Sequence, residues 1–421
     1  MGWQYAISWL TILPFEIIAA SATIGFWRDD INQAVWVTTF LVALTIIQVF
    51  GVRGYGEVEF VLSIIKIAAC IGFIILGIVI DTGGVGSRGY LGARFWHDPG
   101  AFRHGFNGFA GVFVVAAFAF GGTELVGLAA AESVNPRKAI PLAAKQVFFR
   151  IFLFYVVNLF ILGLILRADD PRLANSTGSN SRFSPFVLAI QDAGIQVLPS
   201  IFNAVITLSA ISVANSCTFG STRTMQALAQ RGMAPKYLSY VDQKGRPIWC
   251  VVVQLVLGLL AYVVDAPKGG LAFTWLLALS GLAFLLVWGS CCLAHIRFRM
   301  AWAAQGRDPR EIPYRAPLGV WGSWLGLFLV IICLIATFYN ALYPSPDATP
   351  NAQTFFEAYL AAFVSLGLYF YWKVYSRNWR FYVKLQDIDL VSGSRPLDPS
   401  EFEEYEAGKM SWTMRVARFL F

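Results

Sequence analysis

The chain has 421 residues, of which 57% are hydrophobic and only 14% are charged. This composition excludes a soluble globular domain and predicts an integral membrane protein. The net charge of +7 does not indicate nucleic-acid binding, because the basic residues lie in short loops between apolar segments, where the positive-inside rule places them.

Ten apolar segments are long enough to cross a bilayer, so the sequence predicts an all-α membrane protein with about ten transmembrane helices. An even number of spans puts both termini on one side of the membrane. Lys and Arg are in excess in the loops on that side, which predicts that it is the cytoplasm. The predicted spans are 3–27, 32–51, 58–80, 107–131, 144–166, 197–220, 248–264, 270–293, 320–342 and 355–374.

The spans define a predicted transmembrane domain over residues 1–375. Residues 376–421 are polar, with a cluster of glutamates near their end, and predict a cytoplasmic C-terminal tail. Asn175-Ser176-Thr177 is the one Asn-x-Ser/Thr sequence of the chain. It falls in a loop that the predicted topology places outside the cell, so Asn175 is a candidate glycosylation site.

Two predicted spans near the start of the chain carry a charged residue. Glu16 follows Pro14 in the first span. Its two possible roles are to brace a proline kink by hydrogen bonding and to relay protons, and the structural role is favoured. Lys66 lies about eight residues into the third span, roughly 12 Å deep at the rise of an α-helix. Its ammonium either snorkels back to the interface or is fixed inside the bundle, where it replaces a coupling cation or carries a proton.

The fourth predicted span is interrupted by Gly121-Gly122-Thr123, followed directly by the ionisable Glu124. A helix break in lipid frees carbonyls and amides that need partners, and broken helices form solute sites in transporters. The alternative is a tight helix–helix contact, since glycines let backbones approach closely. Glu124 also has a structural role available, because a carboxylate accepts hydrogen bonds from free amides at a helix start.

Later spans add polar and aromatic candidates. Ser209, Ser212, Asn215 and Ser216 lie on the sixth span, where small hydroxyls either join helices or serve as oxygen ligands for an ion or ammonium. Nothing in the local sequence distinguishes these two roles. The aromatic residues that could shape a pocket are Phe118, Phe120, Trp275 and Trp288.

Enzymatic and metal-binding functions are disfavoured. The three histidines, His97, His104 and His295, have no metal-ligand spacing, and no nucleophile motif or phosphate-binding loop is present. The six cysteines all lie inside apolar segments, as expected for small buried residues rather than a disulfide framework. The sequence therefore predicts no cofactor and no metal.

Several long motifs, in order along the chain, resemble the fungal (yeast-type) amino acid permeases, a branch of the amino acid–polyamine–organocation superfamily. The resemblance extends from Met1 into the tail. It is carried by GWQYAISWLTILPFEIIAAS, GYGEVEFVLSIIKI, FGGTELVGLAAAESVNPRKAIP, NSCTFGSTRTMQALAQRGMAPK, GRP at 245–247 and LAHIRFRMAWAAQGRD.

The resemblance implies the twelve-helix, leucine-transporter-type fold, in which two inverted five-helix repeats enclose a site between broken helices one and six. The ten spans then correspond to helices three to twelve, and the first repeat is expected to be incomplete. Gly121 and Gly122 correspond to the unwound part of helix six. By the same resemblance Lys66 takes a sodium-site position, faced by Ser212, Asn215 and Ser216 from the eighth helix.

The function implied is proton-coupled uptake of an amino acid across the plasma membrane. The expected substrate-binding residues are Phe118, Phe120, Gly121, Gly122, Glu124 and Trp275, and the expected coupling residues are Lys66, Ser212, Asn215 and Ser216. The expected partners are the amino acid, the proton and membrane lipid. Two alternatives stay open. One is a transport-inactive permease without the first two helices, which is a sensor, a partner subunit or an incomplete gene model. The other is a carrier of polyamines or another organic cation.

Overall fold

A computed structural model describes residues 1–86, 88–102, 104–128, 136–174, 184–266, 269–308, 312, 316, 318–343 and 349–392. These residues are helical or irregular, without a strand, which confirms the predicted all-α class. Asn175 and the glutamate cluster of the predicted tail lie outside them. The α-helices are α1 Gly2–Ile24, α2 Gln33–Val49, α3 Gly51–Asp81, α4 Gly105–Phe120, α5 Leu125–Leu128, α6 Pro136–Ile151, α7 Asn158–Ile165, α8 Pro171–Ala174, α9 Pro185–Asp192, α10 Leu198–Gln230, α11 Ile248–Gly258, α12 Gly269–Ala304, α13 Gly319–Leu342 and α14 Ala352–Ser376.

Every predicted span corresponds to helical structure among the described residues. Nine helical segments are long and apolar enough to cross a membrane. The tenth predicted span is α2, whose 17 residues extend about 26 Å, slightly less than a hydrocarbon core. A π-helical segment, Phe152–Val157, joins α6 to α7, and a 3₁₀ segment, Leu259–Asp265, continues α11.

The chain divides into two compact units. The first unit consists of Met1–Gly121, Ile151–Val287 and Ile332–Phe370. The second unit consists of Gly122–Arg150, Trp288–Ile331 and the chain from Tyr371 onward.

Helix α1 lies at the centre of the first unit, where its most apolar window is 78% buried. A helix that is apolar all round is stable only when other helices enclose it or lipid surrounds it, and α1 is enclosed mainly by α10. At one end Thr23 and Thr207 share a hydrogen bond of 2.7 Å, and the Asn203 amide donates to the Thr23 carbonyl at 2.9 Å. These polar contacts fix the register of α1 against α10.

Two buried apolar clusters hold the rest of the first unit together. One joins α3, α7 and α9 around Phe73, Ile165 and Leu188. The other joins α1, α10 and α11 around Leu10 and Met225. The α1–α10–α11 cluster explains why α10 continues to Gln230, ten residues past the predicted end of its span.

Candidate functional site

The helix interruption predicted from the glycines lies between α4 and α5. Gly121 ends α4 with an extended ψ of 145°, and Gly122 has a φ of +93°. The left-handed region at Gly122 favours glycine, because a side chain is strained there. A Cβ at Gly121 would lie 2.5 Å from the ring of Phe284, so the ring fits only against glycine. Both glycines are therefore required by the local geometry.

Glu124 contacts the interrupted segment itself. Its Oε1 accepts a hydrogen bond from the backbone N–H of Gly122 at 3.3 Å. Its Oε2 accepts one from the indole Nε1 of Trp288, on α12, at 3.2 Å. The Thr123 hydroxyl lies 3.5 Å from the same oxygen. The carboxylate thus holds the amide freed by the break and ties it to α12, as the structural role of Glu124 requires.

The aromatic residues near the end of α4 pack on different neighbours. Phe118 makes an edge-to-face contact with Phe15 of α1, at 4.9 Å between centroids. Phe120 makes an edge-to-face contact with Tyr155 of the π-helical segment at 5.2 Å. The Tyr155 hydroxyl donates to the Ala119 carbonyl, one residue before the end of α4. The π-helical segment therefore supports the last turn before the break.

Trp275, on α12, differs from these residues because its polar atom is buried. Within the part of the chain that the structure describes, its indole nitrogen has no hydrogen-bond partner. An unpartnered buried donor is costly, and such groups are often satisfied by a ligand or water. This is the feature of Trp275 that favours a role in substrate binding.

Lys66 belongs to α3, and its side chain lies at the contact of α3 with α10 in the first unit. Its Nζ donates to the Ser212 hydroxyl at 2.6 Å and to Oε1 of Glu59 at 3.0 Å. The Ser212 oxygen lies 2.6 and 2.8 Å from the two Glu59 oxygens. Only 28% of the lysine side chain and 21% of the glutamate side chain are exposed. The ammonium is held by α10 and does not snorkel, which favours the second of the two alternatives.

Asn215 and Ser216 have other contacts. The Asn215 side chain is fully buried and accepts a hydrogen bond from Gln48 of α2 at 3.2 Å. Ser216 lies 3.5 Å from the hydroxyl of Tyr55, one turn along α3 from Glu59. Of the three candidates on α10, the structure brings Ser212 into direct contact with Lys66.

Sequence reasoning missed Glu59 as a partner of Lys66. The signal was present, because residues seven apart lie two turns apart on the same helix face. An acidic and a basic residue on one face of an apolar span are each costly alone and favourable as a pair. The GYGEVEF motif that carries part of the family resemblance thus also contains the acidic partner of Lys66.

Comparison with known proteins agrees with the helical architecture. The family model described as amino acid permease matches residues 1–384. The general amino-acid permease GAP1 of Saccharomyces cerevisiae is 48% identical over 403 residues, which cover 94% of this chain and 67% of that protein. The amino-acid permease GAP5 of Candida albicans is 45% identical, with 94% and 64% covered. The cationic amino acid transporter 1 of Schizosaccharomyces pombe is 47% identical, with 96% and 69% covered. The chain thus spans about two thirds of the length of these relatives.

Proposed function

This chain belongs to the amino acid permease family, and we propose that it carries an amino acid across the membrane together with a proton. The relatives named as amino-acid permeases support the substrate class. The nine apolar helical segments support a multi-pass membrane protein, and we place it in the plasma membrane, where uptake from outside the cell would occur.

The observation that carries the proton coupling is the placement of Lys66. A lysine side chain carries a compact charge as an ammonium, can release a proton to become an amine, and can bind one again. Here Ser212 and Glu59 hold that charge at the α3–α10 interface, within 3.0 Å of Nζ. A fixed lysine that loses its proton in one state of the carrier links transport to the proton gradient.

The substrate binds, in this proposal, at the interrupted helix. Freed backbone amides and carbonyls recognise the carboxylate and ammonium of an amino acid in broken-helix transporters. Glu124 and Trp288 keep the segment around Gly122 in its non-helical form. For Trp275, which belongs to the first unit, the support for a role in substrate binding is separate and consists of its buried indole N–H.

Replacement of Lys66 tests the coupling. In cells without their own permeases, we expect Lys66→Ala to abolish accumulation of a labelled amino acid while exchange across the membrane persists. One proton crossing 100 mV supplies about 2.3 kcal/mol, equivalent to about 50-fold accumulation, so the loss is large. Unlabelled arginine, proline and spermidine, added as competitors, identify the substrate class.

The matched control is Lys236→Ala, because Lys236 is an exposed lysine of the loop between α10 and α11. It should accumulate substrate like the parent. Unchanged concentrative uptake by Lys66→Ala would refute the coupling role.

A further inference from the structure

Polar side chains of α3 and α10 face each other in two successive levels, which together we call the α3–α10 ladder. The first level consists of Lys66, Glu59 and Ser212, and the second consists of Tyr55 and Ser216. Tyr55 precedes Glu59 by four residues, and Ser216 follows Ser212 by four. One helical turn, about 6 Å, therefore separates the two levels.

At the first level, Ser212 joins a proton donor to a proton acceptor. Its oxygen lies 2.6 Å from Lys66 Nζ and 2.6 Å from Glu59 Oε1. Since Nζ has only protons to give and a carboxylate only lone pairs, the hydroxyl accepts from the lysine and donates to the glutamate. A hydroxyl bonded in this way passes a proton on without moving. Glu59 also accepts directly from Lys66 at 3.0 Å.

At the second level, Tyr55 is fixed by its ring. The ring stacks on Phe219 of α10, with centroids 4.8 Å apart and planes within 6° of parallel. This contact directs the hydroxyl towards Ser216 at 3.5 Å. The level therefore presents two hydroxyl groups, from residues one turn along α3 from Glu59 and one turn along α10 from Ser212.

Beyond the second level the ladder opens into a small cavity. Its water-accessible volume is about 20 Å³, which exceeds the 10–15 Å³ that one water requires. Tyr55 and Phe219 line it, together with the polar side chains of Gln48, Thr222 and Arg223. A second guanidinium, that of Arg246, is paired with Asp242 at 2.5 Å. The cavity has room for one water, which is the kind of acceptor that a proton leaving the ladder needs.

We propose that Glu59 is the proton acceptor of Lys66 and that the α3–α10 ladder is the route by which the proton leaves. This inference rests on the proposed proton coupling and names its next group. In the transfer, an N–H bond of the ammonium breaks and an O–H bond of the carboxyl forms, so both groups become neutral. The carboxylic acid then gives its proton, through the hydroxyls of Tyr55 and Ser216, to water in the cavity, and the carboxylate is restored.

The charged surroundings suit this direction of transfer. Two thiols interact with the ladder, that of Cys70 with Lys66 and that of Cys217 with Glu59. The Glu16 carboxyl of α1 interacts with Cys217, and the Tyr155 hydroxyl of the π-helical segment interacts with Cys70 and Glu16. Arg223 is the cation at the far end, beside the cavity. A fixed positive charge there disfavours retention of an extra cation, so a released proton moves on to bulk water.

Glu59→Gln tests the proposal, with Glu57→Gln as the matched control. An amide oxygen still accepts from Lys66 and Ser212 but cannot carry the proton, so exchange should stay within about threefold of the parent. Accumulation and substrate-driven proton uptake should fall to the level of Lys66→Ala, and the dependence of uptake on external pH should flatten. Glu57 is exposed on another face of α3, so its variant should resemble the parent.

Two further variants separate proton transfer from support of the fold. Glu59→Asp keeps the carboxylate and should restore part of the accumulation and the pH dependence. Tyr55→Phe keeps the ring on Phe219 but removes the hydroxyl, so it should slow proton-coupled uptake and leave exchange intact.

Three results bear on the proposal in different ways. If Glu59→Gln accumulates substrate like the parent, with the same pH profile, the role of Glu59 as proton acceptor is overturned. The coupling role of Lys66 still stands in that case if Lys66→Ala has lost accumulation. Loss of exchange in both Glu59→Gln and Glu59→Asp also overturns it, since the residue then only braces α3 against α10. Normal accumulation by Lys66→Ala defeats the proposed coupling itself.

Discussion

Lys66 and Glu124 are two charged residues within predicted spans, and they have different kinds of hydrogen-bond partner. Lys66 is held by side chains of α3 and α10, whereas Glu124 binds a backbone amide released by the helix break. It was predictable that both residues would need polar partners, since ionisable groups in spans are expensive to retain. Their partners were not predictable, because the partner of Lys66 depends on which face α3 turns towards α10.

The bond from Trp288 to Glu124 gives a prediction at this scale. Trp288→Phe removes the indole donor, and a hydrogen bond to a charged group contributes about 1.5–3 kcal/mol. We expect the interrupted segment to lose its fixed form and the KM for amino acid uptake to rise by roughly tenfold or more, since 1.4 kcal/mol is tenfold. Initial uptake rates over a range of substrate concentrations measure this.

Trp321→Phe is the control for this change, because Trp321 is 81% exposed. A parental KM in Trp288→Phe, with normal amounts of protein in the membrane, contradicts the role given to the bond.

At the scale of elements, hydropathy located all ten spans but not their irregularities. The Gly121-Gly122 interruption was predicted, because two consecutive glycines within an apolar span indicate a helix break. The π-helical segment Phe152–Val157 was not, because its sequence is uniformly apolar and the extra residue per turn is set by packing. The continuation of α10 to Gln230 was also missed, because hydropathy falls once the helix leaves lipid while Met225 still packs into an apolar cluster.

Gly121→Ala tests the close approach at the interruption. The added methyl would lie 2.5 Å from the Phe284 ring, so the ring or the backbone must shift. Overpacking of this kind costs about 1–3 kcal/mol, and we expect a lower thermal midpoint for the purified protein in detergent. Gly127→Ala is the matched control, since nothing lies within 4 Å of its added Cβ. Equal thermal midpoints for the two variants would show that the close contact with Phe284 does not lower stability.

At the scale of the whole molecule, family and membrane class followed from long motifs and composition, and both are confirmed. The orientation of the termini, the 1–375 domain boundary and the inverted repeats stay predictions.

Outside the spans, arginines pair with loop carboxylates. Arg246 bonds Asp242 at 2.5 Å and also donates to the Val49 carbonyl at the end of α2, so the α10–α11 loop is fastened to the α2–α3 turn.

The Asp242–Arg246 pair predicts a pH dependence of stability. Hydrogen bonds from the Arg246 side chain and backbone lower the pKa of the Asp242 carboxyl below its ordinary value. The stabilisation is therefore complete above the unfolded-state pKa of about 3.9 and is lost as pH falls through the lower folded-state pKa. We expect Asp242→Asn to melt below the parent at pH 5–7, and the difference to vanish at the acid end. A difference that grows on acidification contradicts this.

The enclosure of α1 has a consequence for biogenesis. Its polar partners Thr207 and Ser280 lie on α10 and α12, and α10 starts 174 residues after α1 ends at Ile24 (198 minus 24). At about 5–20 residues per second, translation leaves α1 without α10 for about 9–35 s, and without Ser280 for longer. Meanwhile Thr11 and Thr23 can bond carbonyls of their own helix, as they also do in the folded protein. The nascent protein can thus insert α1 with its threonine hydroxyls already hydrogen-bonded. The packing of α1 is completed only after α10 and α12 have been synthesised.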